Sequence, residues 1–515
     1  MKEYYDVVVI GSGMGGLVSA NIMAREGKSV CVLEKNNQFG GNLQTFVRER
    51  TIFDTGVHYI GGLDKGQNLY RYFEYLGILD GLELQKLNED GFDLITFDND
   101  EEEYPHSQGY ANFVKRLSEK FPKEEKAIHN YCDKIREVCD RFPLYKLELG
   151  KPYHKDSDLF KLPAKGFIDS LTENEKLRAV LAGSNLLYAG DPEKTPFYVH
   201  ALSVNSFIQS AYRCADGGSQ ITKILIRKLK ENGGEAHKRQ EVERFETKDQ
   251  KIISVHTKQG LEIRGGLFIS NIEPKTTLKM AGEYNFRKSY NKRIQSIEST
   301  ISAFSLHIVL KPKSFKYLNH NYYHFKAPSK VWKGHEYTQE SWPETYMVSM
   351  GARKNQDEWG DQLTAITYMR FDEVEPWAQT FNTVTNKNSR GQTYEEFKKA
   401  KAEVFIKELE KKFPNIRECI QSIHTSTPLS YRDYIGCNRG SMYGYVKDVG
   451  SPLRSFISPR TKVENLFLTG QSLNMHGILG VTISGVVTCS EILGGEYLLK
   501  KIIGSSSEVD SKIGV

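Results

Sequence analysis

The stretch Val7-Val8-Val9-Ile10-Gly11-Ser12-Gly13-Met14-Gly15-Gly16 decides how the chain folds. Four branched apolar residues run into Gly-x-Gly-x-x-Gly, with Gly11, Gly13 and Gly16 at the fixed positions. A small and apolar stretch, Leu17 to Ala24, follows, then Gly27, a second apolar run Ser29-Val30-Cys31-Val32-Leu33, and Glu34. The pattern predicts strand, tight turn, helix, strand and acid. Gly11 suits the turn, Gly13 lets backbone N–H groups approach a pyrophosphate, and Gly16 lets helix and strand pack closely. Met14 and Gly15 open the helix, whose unpaired N–H groups and positive dipole end attract phosphate. Glu34, eighteen residues after Gly16, falls where a strand-end carboxylate accepts from ribose hydroxyls. A dinucleotide site is expected.

Lys35-Asn36-Asn37-Gln38-Phe39-Gly40-Gly41-Asn42 follows directly, and its Gly-Gly pair suits a loop folding back over a cofactor's phosphates. Then comes Phe53-Asp54-Thr55-Gly56-Val57-His58-Tyr59-Ile60-Gly61. With these residues the chain resembles the flavoprotein family of phytoene desaturases, carotenoid isomerases and retinol saturases, and the last segment is most like the retinol-saturase branch. The resemblance implies FAD. It extends to Asp216-Gly217-Gly218, to a strand around Val242 on the cofactor's adenine side, to Ser270-Asn271-Ile272-Glu273-Pro274, and to Thr469-Gly470-Gln471 with the small and apolar helix holding Gly477, Gly480, Val481 and Thr482. The implied cofactor contacts are therefore Gly11, Gly13, Met14, Gly15, Gly16, Glu34, Lys35, Gly40, Gly41, Asn42, His58, Tyr59, Val242, Asn271, Gly470, Gln471, Gly480, Val481 and Thr482. The helix start at Gly477–Val481 is expected to aim its N–H groups at the flavin's pyrimidine edge, where reduction places negative charge.

The fold class implied is α/β, a Rossmann-type, glutathione-reductase-like FAD domain interleaved with an α+β substrate domain. Residues 1–66, 211–285 and 456–504 are expected in the first. Residues 67–210, with a helical cap, and 286–455 are expected in the second, and 505–515 as a flexible polar tail. Helical spacing runs from Gln67 to Leu79 and from Tyr110 to Asp140 with a break at Pro122. Strands are expected at 242–247, 252–257 and 261–264, with the run Leu267 to Pro274 closing the block, and later at 300–310, 322–325, 345–349 and 363–368.

At 515 residues the chain exceeds one simple core. A net charge of +5 and the absence of a binding motif leave nucleic acid out. The seven cysteines show no zinc or redox spacing, no metal site is expected, and a reducing cytoplasm fits. The first strand starts near Tyr5, so no signal peptide is expected, and no apolar run nears the roughly 20 residues that span a bilayer. Any membrane contact is expected to be peripheral, at the inner face. Phe142, Leu144, Tyr145, Leu147, Phe160 and Phe167 give 141–210 an apolar character. In related flavoproteins this region caps a substrate tunnel.

Flavin carries the hydride, so the protein supplies position and a proton. His58, Tyr59, Tyr443 and His476 are the proton-donor candidates. The resemblance implies an oxidoreductase that saturates or desaturates a carbon–carbon double bond in a long polyene, isoprenoid or other lipid, with the electron donor open. A redox-neutral cis–trans isomerase is the alternative. A non-catalytic prenyl-lipid carrier is the other class, against which the intact Gly11, Gly13, Gly16, Glu34 and Gly470 argue. No hydrolase or kinase motif is present.

Overall fold

The computed structural model describes residues 1–149 and 158–512. Its first sheet is assembled from three separated pieces of chain. The strand Tyr4–Ile10 lies parallel to Val30–Leu33 on one side and to Glu262–Ser270 on the other, with Ile10 opposite Leu33 and Ser270. Glu235–His237 extends one edge, Lys251–Thr257 and Val242–Lys248 the other, and Leu466–Leu468 joins Glu262–Ser270 in parallel. Val7, Val8 and Val9 are wholly buried. The central strand is buried on both faces, with Val7 and Val9 in one core and Val8 and Ile10 in another, which is why it reads as an unbroken apolar run. The helix Met14–Arg25 packs beside Gly477–Leu493, and Gly485 makes the approach possible, since a Cβ there would lie 3.0 Å from Gly15 O.

The strand expected at 261–264 continues into the run that starts at Leu267, and the two form one strand, Glu262–Ser270. Gly265-Gly266 signals a break in the sequence, yet here marks close backbone approach: a Cβ at Gly265 would sit 2.9 Å from Val8 Cγ2, and one at Gly266 3.2 Å from Asp6 O.

The second sheet has seven strands in the order 420–426, 302–310, 362–369, 345–349, 321–325, 93–97 and 104–106. It is antiparallel except where Asn321–Phe325 pairs with Asp93–Phe97, so it unites both expected substrate segments. Ile420–Ser426 was not expected. It is an edge strand, partly exposed along its length, and it therefore lacks the apolar alternation that announces a strand. A three-stranded sheet of 60–61, 211–214 and 84–86 ties the two regions together.

The helices Tyr110–Lys120, Glu125–Asp140, Ala164–Leu171, Glu175–Leu181 and Phe197–Gln209 form the cap. The last helix, Gly495–Lys512, carries regular backbone into the stretch expected as a tail, anchored by buried Leu498 and Ile502; residues 513–515 lie outside the described residues. Among the described residues no helix is long and apolar enough to cross a membrane.

Candidate functional site

A cavity of about 920 Å³ runs between the two sheets. One part is walled by the glycine turn, by Gly40–Leu43 and by Thr469–Gln471; another by the apolar cap residues Phe142, Leu144, Leu159, Phe160, Leu202 and Phe207.

The turn is built for close approach. A Cβ on Gly16 would fall 2.3 Å from Gly11 O, so helix and strand meet there backbone to backbone. The side chain of Asn271 fills the space that side chains at Gly13 and Gly470 would need, each Cβ falling 2.7 Å from its amide. Asn271 thus holds the first and last pieces of the site together from the strand end between them. Gly40 and Gly41 both have positive φ, +118° and +57°, and a Cβ on Gly41 would lie 3.2 Å from Gly13 Cα.

Glu34 is 5% exposed, and its carboxylate accepts from Ser12 N–H at 3.0 Å, Ser12 Oγ–H at 2.6 Å and Asn36 N–H at 2.8 Å. Ser12 Oγ in turn accepts from Gly40 N–H at 3.1 Å. Sequence reasoning missed Ser12, which occupies a variable position of the glycine pattern. Lys35 lines the cavity, but its Nζ donates to Asp433 O at 2.9 Å, and burial pushes its pKa down. Asn36 Nδ2 donates to Tyr434 O at 2.9 Å, so the two residues fix the end of the helix Pro428–Ile435 against the site. That helix carries its signal in Thr427-Pro428 and Ser430, a capping box with proline in the first turn.

Of the expected cofactor contacts, Gly16 and Thr482 do not line the cavity. Gly16 serves packing, and Thr482 turns its hydroxyl to Ile478 O at 2.7 Å. The others do line it, Met14, Gly15, Asn42, Val242, Gln471, Gly480 and Val481 among them.

The proton-donor candidates separate clearly. Tyr59 donates to Asp93 Oδ2 at 2.8 Å and pairs with Tyr323 Oη at 2.7 Å, while its ring packs on Phe207. Tyr443 donates to Leu186 O at 2.9 Å and His476 Nε2 bonds Leu187 O at 3.0 Å; their rings meet at 4.5 Å, tilted by 38°, and grip one turn of the cap. These three polar groups are spent on the fold. His58 Nε2 is buried with no partner. Burial, with the charge of Arg213, pushes the His58 pKa down to about 4, and burial likewise takes His476 to about 4, so both rings are neutral at pH 7.

The site fits FAD on donor chemistry as well as shape. Three cavity-lining residues, Gln240, Thr469 and His58, each keep a buried side-chain atom without a partner, whereas buried polar atoms are normally satisfied. Gln240 sits beside Glu34, its N–H donating to Glu34 O at 2.8 Å. Sequence reasoning passed over Gln240 and Thr469. Away from the cavity, Glu246, His256 and Glu262 bring ligating atoms within 4.8 Å of one another on a partly exposed strand face, but His256 already bonds Glu246 at 2.8 Å and Glu262 accepts from Arg264 at 3.2 Å.

Comparison with known proteins points the same way. The model of a family described as flavin containing amine oxidoreductase matches residues 14–493. The all-trans-retinol 13,14-reductase of Rattus norvegicus is 28% identical over 99% of this chain and 89% of its own length. A chloroplastic prolycopene isomerase of an Oncidium hybrid cultivar is 24% identical over 95% of this chain and 84% of its own. The solved structure of an oxidoreductase from Methanosarcina mazei superposes with a TM-score of 0.64 over 94% of this chain and 99% of that one, at 14% identity.

Proposed function

The chain belongs to the flavin containing amine oxidoreductase family, and from that premise we propose that it is an FAD-dependent enzyme that saturates a carbon–carbon double bond in a long, apolar polyene or related lipid. The observation that carries the reading is the continuity of the cavity. A volume of about 920 Å³ joins a dinucleotide cradle to a wall of cap side chains, Phe142, Leu144, Phe160 and Leu202. That is near the upper end of ordinary ligand pockets, and it suits an extended hydrocarbon beside a flavin. The retinol reductase and prolycopene isomerase likenesses support a conjugated polyene as the substrate class.

FAD, when bound, supplies the hydride that reduces one alkene carbon. The chain's own residues do the rest. The N–H groups of the first helical turn and the Ser12–Glu34–Gly40 network hold the pyrophosphate and ribose. The cap side chains exclude water and align the hydrocarbon. His58, whose ring nitrogen stays free while Tyr59, Tyr443 and His476 are committed, orients the proton that completes the addition. Peripheral membrane contact beside the exposed Leu149, from the cytoplasmic side, belongs to the same proposal.

The test is product analysis. Purified FAD-loaded protein, supplied with a two-electron reductant under anaerobic conditions, is incubated with all-trans conjugated polyene alcohols. A product two mass units heavier with a blue-shifted spectrum supports saturation. A product of unchanged mass and altered geometry supports the isomerase reading, which the prolycopene isomerase likeness favours. No conversion of any polyene sinks both.

A further inference from the structure

Lys447 is a charged group of the cavity that the proposed reaction leaves unused. It lies in the loop between Tyr443 and the turn Pro452–Arg454. Its Nζ donates to Ser455 O and Leu473 O, both at 3.2 Å. An ammonium carries three N–H donors, so one is left. Among the described residues no carboxylate pairs with it, and burial alone lowers its pKa, to about 8. The adjacent His476 is neutral at pH 7 and offers no compensating charge. An enclosed cation without a counter-ion is costly, and the cost is removed when a ligand brings the missing charge.

The position of its acceptors says which part of a ligand that is. Neither belongs to the glycine turn or to Gly40–Asn42, where the phosphates are expected. Leu473 belongs to the loop 471–476, which leads from Gly470 into the helix Gly477–Leu493. The positive end of that helix's dipole and the Lys447 ammonium therefore flank one short loop, and both favour negative charge beside it.

We propose that Lys447 is the counter-charge for the negative charge FAD gains on reduction, and so favours the reduced over the oxidised cofactor. The bookkeeping is simple: FAD takes up two electrons and one proton and keeps one negative charge. The inference rests on FAD binding and not on which bond is acted upon.

The test compares wild type, Lys447→Met and Lys447→Arg, all loaded with FAD. Methionine removes the charge at similar length; arginine keeps it. Two quantities are read: affinity for oxidised FAD by fluorescence titration, and the two-electron midpoint potential at pH 7 against a reference dye. Lys447→Met should weaken the preference for reduced FAD about tenfold, which lowers the potential by about 30 mV. Lys447→Arg should stay within about threefold of wild type, and affinity for oxidised FAD should change less than that in either variant. An unchanged potential in Lys447→Met overturns the inference. So does an equal fall in both variants, which would mean lost packing. A fall confined to oxidised-FAD affinity overturns it as well and assigns the charge to the pyrophosphate. A wild type that takes up no FAD fails at the family premise instead.

Discussion

Replacing Glu34 with alanine should weaken FAD binding by at least about 30-fold. Glu34 accepts three hydrogen bonds, from Ser12 N–H, Ser12 Oγ–H and Asn36 N–H, at 3.0, 2.6 and 2.8 Å. It is 5% exposed, so water compensates poorly. Leaving a buried donor unsatisfied costs roughly 1–3 kcal/mol. Two backbone donors lose their acceptor, which sums to roughly 2–6 kcal/mol before any ribose contact is counted. Tenfold in affinity is about 1.4 kcal/mol, so the lower end of that range is about 30-fold, to the extent that the turn must be reordered by the ligand. Glu34→Gln keeps one acceptor oxygen and should lose about tenfold. The assay is titration of apo-protein with FAD, followed by flavin fluorescence, alongside urea denaturation of the apo form. Unchanged FAD affinity in Glu34→Ala would refute the ribose role. A fall in apo-protein stability with unchanged affinity would reduce the carboxylate to a brace for the turn.

Gly16→Ala should abolish FAD loading, because its Cβ would meet Gly11 O at 2.3 Å and Asn271 Cβ at 3.0 Å; Gly166→Ala, in a helix with only an ordinary 3.5 Å contact to Pro163, should load normally and serve as the control in the same flavin-to-protein absorbance ratio. Asp433→Ala should destabilise the protein by about 3–5 kcal/mol in urea denaturation, since its fully buried carboxylate pairs with Arg390 and Arg432 and accepts from Asn382 N–H at 2.8 Å; a loss under about 1 kcal/mol would refute the clamp on the Pro428–Ile435 helix. Burial raises the Asp93 pKa to about 7, against hydrogen bonds from Asn321 and Tyr59. The folded state therefore holds a proton that the unfolded state has lost above about pH 4, and stability from this group falls as pH rises from about 4 to 7. Asp93→Asn should flatten that decline in thermal unfolding measured across the window, and an unaltered slope would show that Asp93 is ionised throughout.

The cofactor half of the site was legible because its chemistry constrains the backbone. Gly11, Gly13, Gly16, Gly40-Gly41 and Gly470 are glycine for steric reasons that recur wherever a pyrophosphate meets a strand-turn-helix, and Glu34 stands at a fixed distance from them. What the spacing does not encode is which side chains answer one another across the fold. Asn271 was expected as a cofactor contact, and it also wedges Gly13 against Gly470. Tyr443 and His476 looked like proton donors, yet their partners are the carbonyls of Leu186 and Leu187, nearly 300 residues away in the chain for His476. Ser12, Gln240 and Lys447 were invisible for the same reason: a serine in a glycine pattern, a glutamine before a strand and a lysine in a loop carry no local signature. The strand Ile420–Ser426 was hidden because an edge strand partly exposed along both faces has no alternation to read.

On the proposed reading, this cavity brings an alkene to reduced FAD. The most direct test is a single anaerobic turnover: reduced, FAD-loaded protein is mixed with an all-trans conjugated polyene, and flavin and polyene absorbance are followed together. The oxidised-flavin absorbance should return as the polyene loses one double bond's worth of conjugation, one for one and at the same rate. Flavin that stays reduced while the polyene remains intact, or only changes geometry, would contradict it.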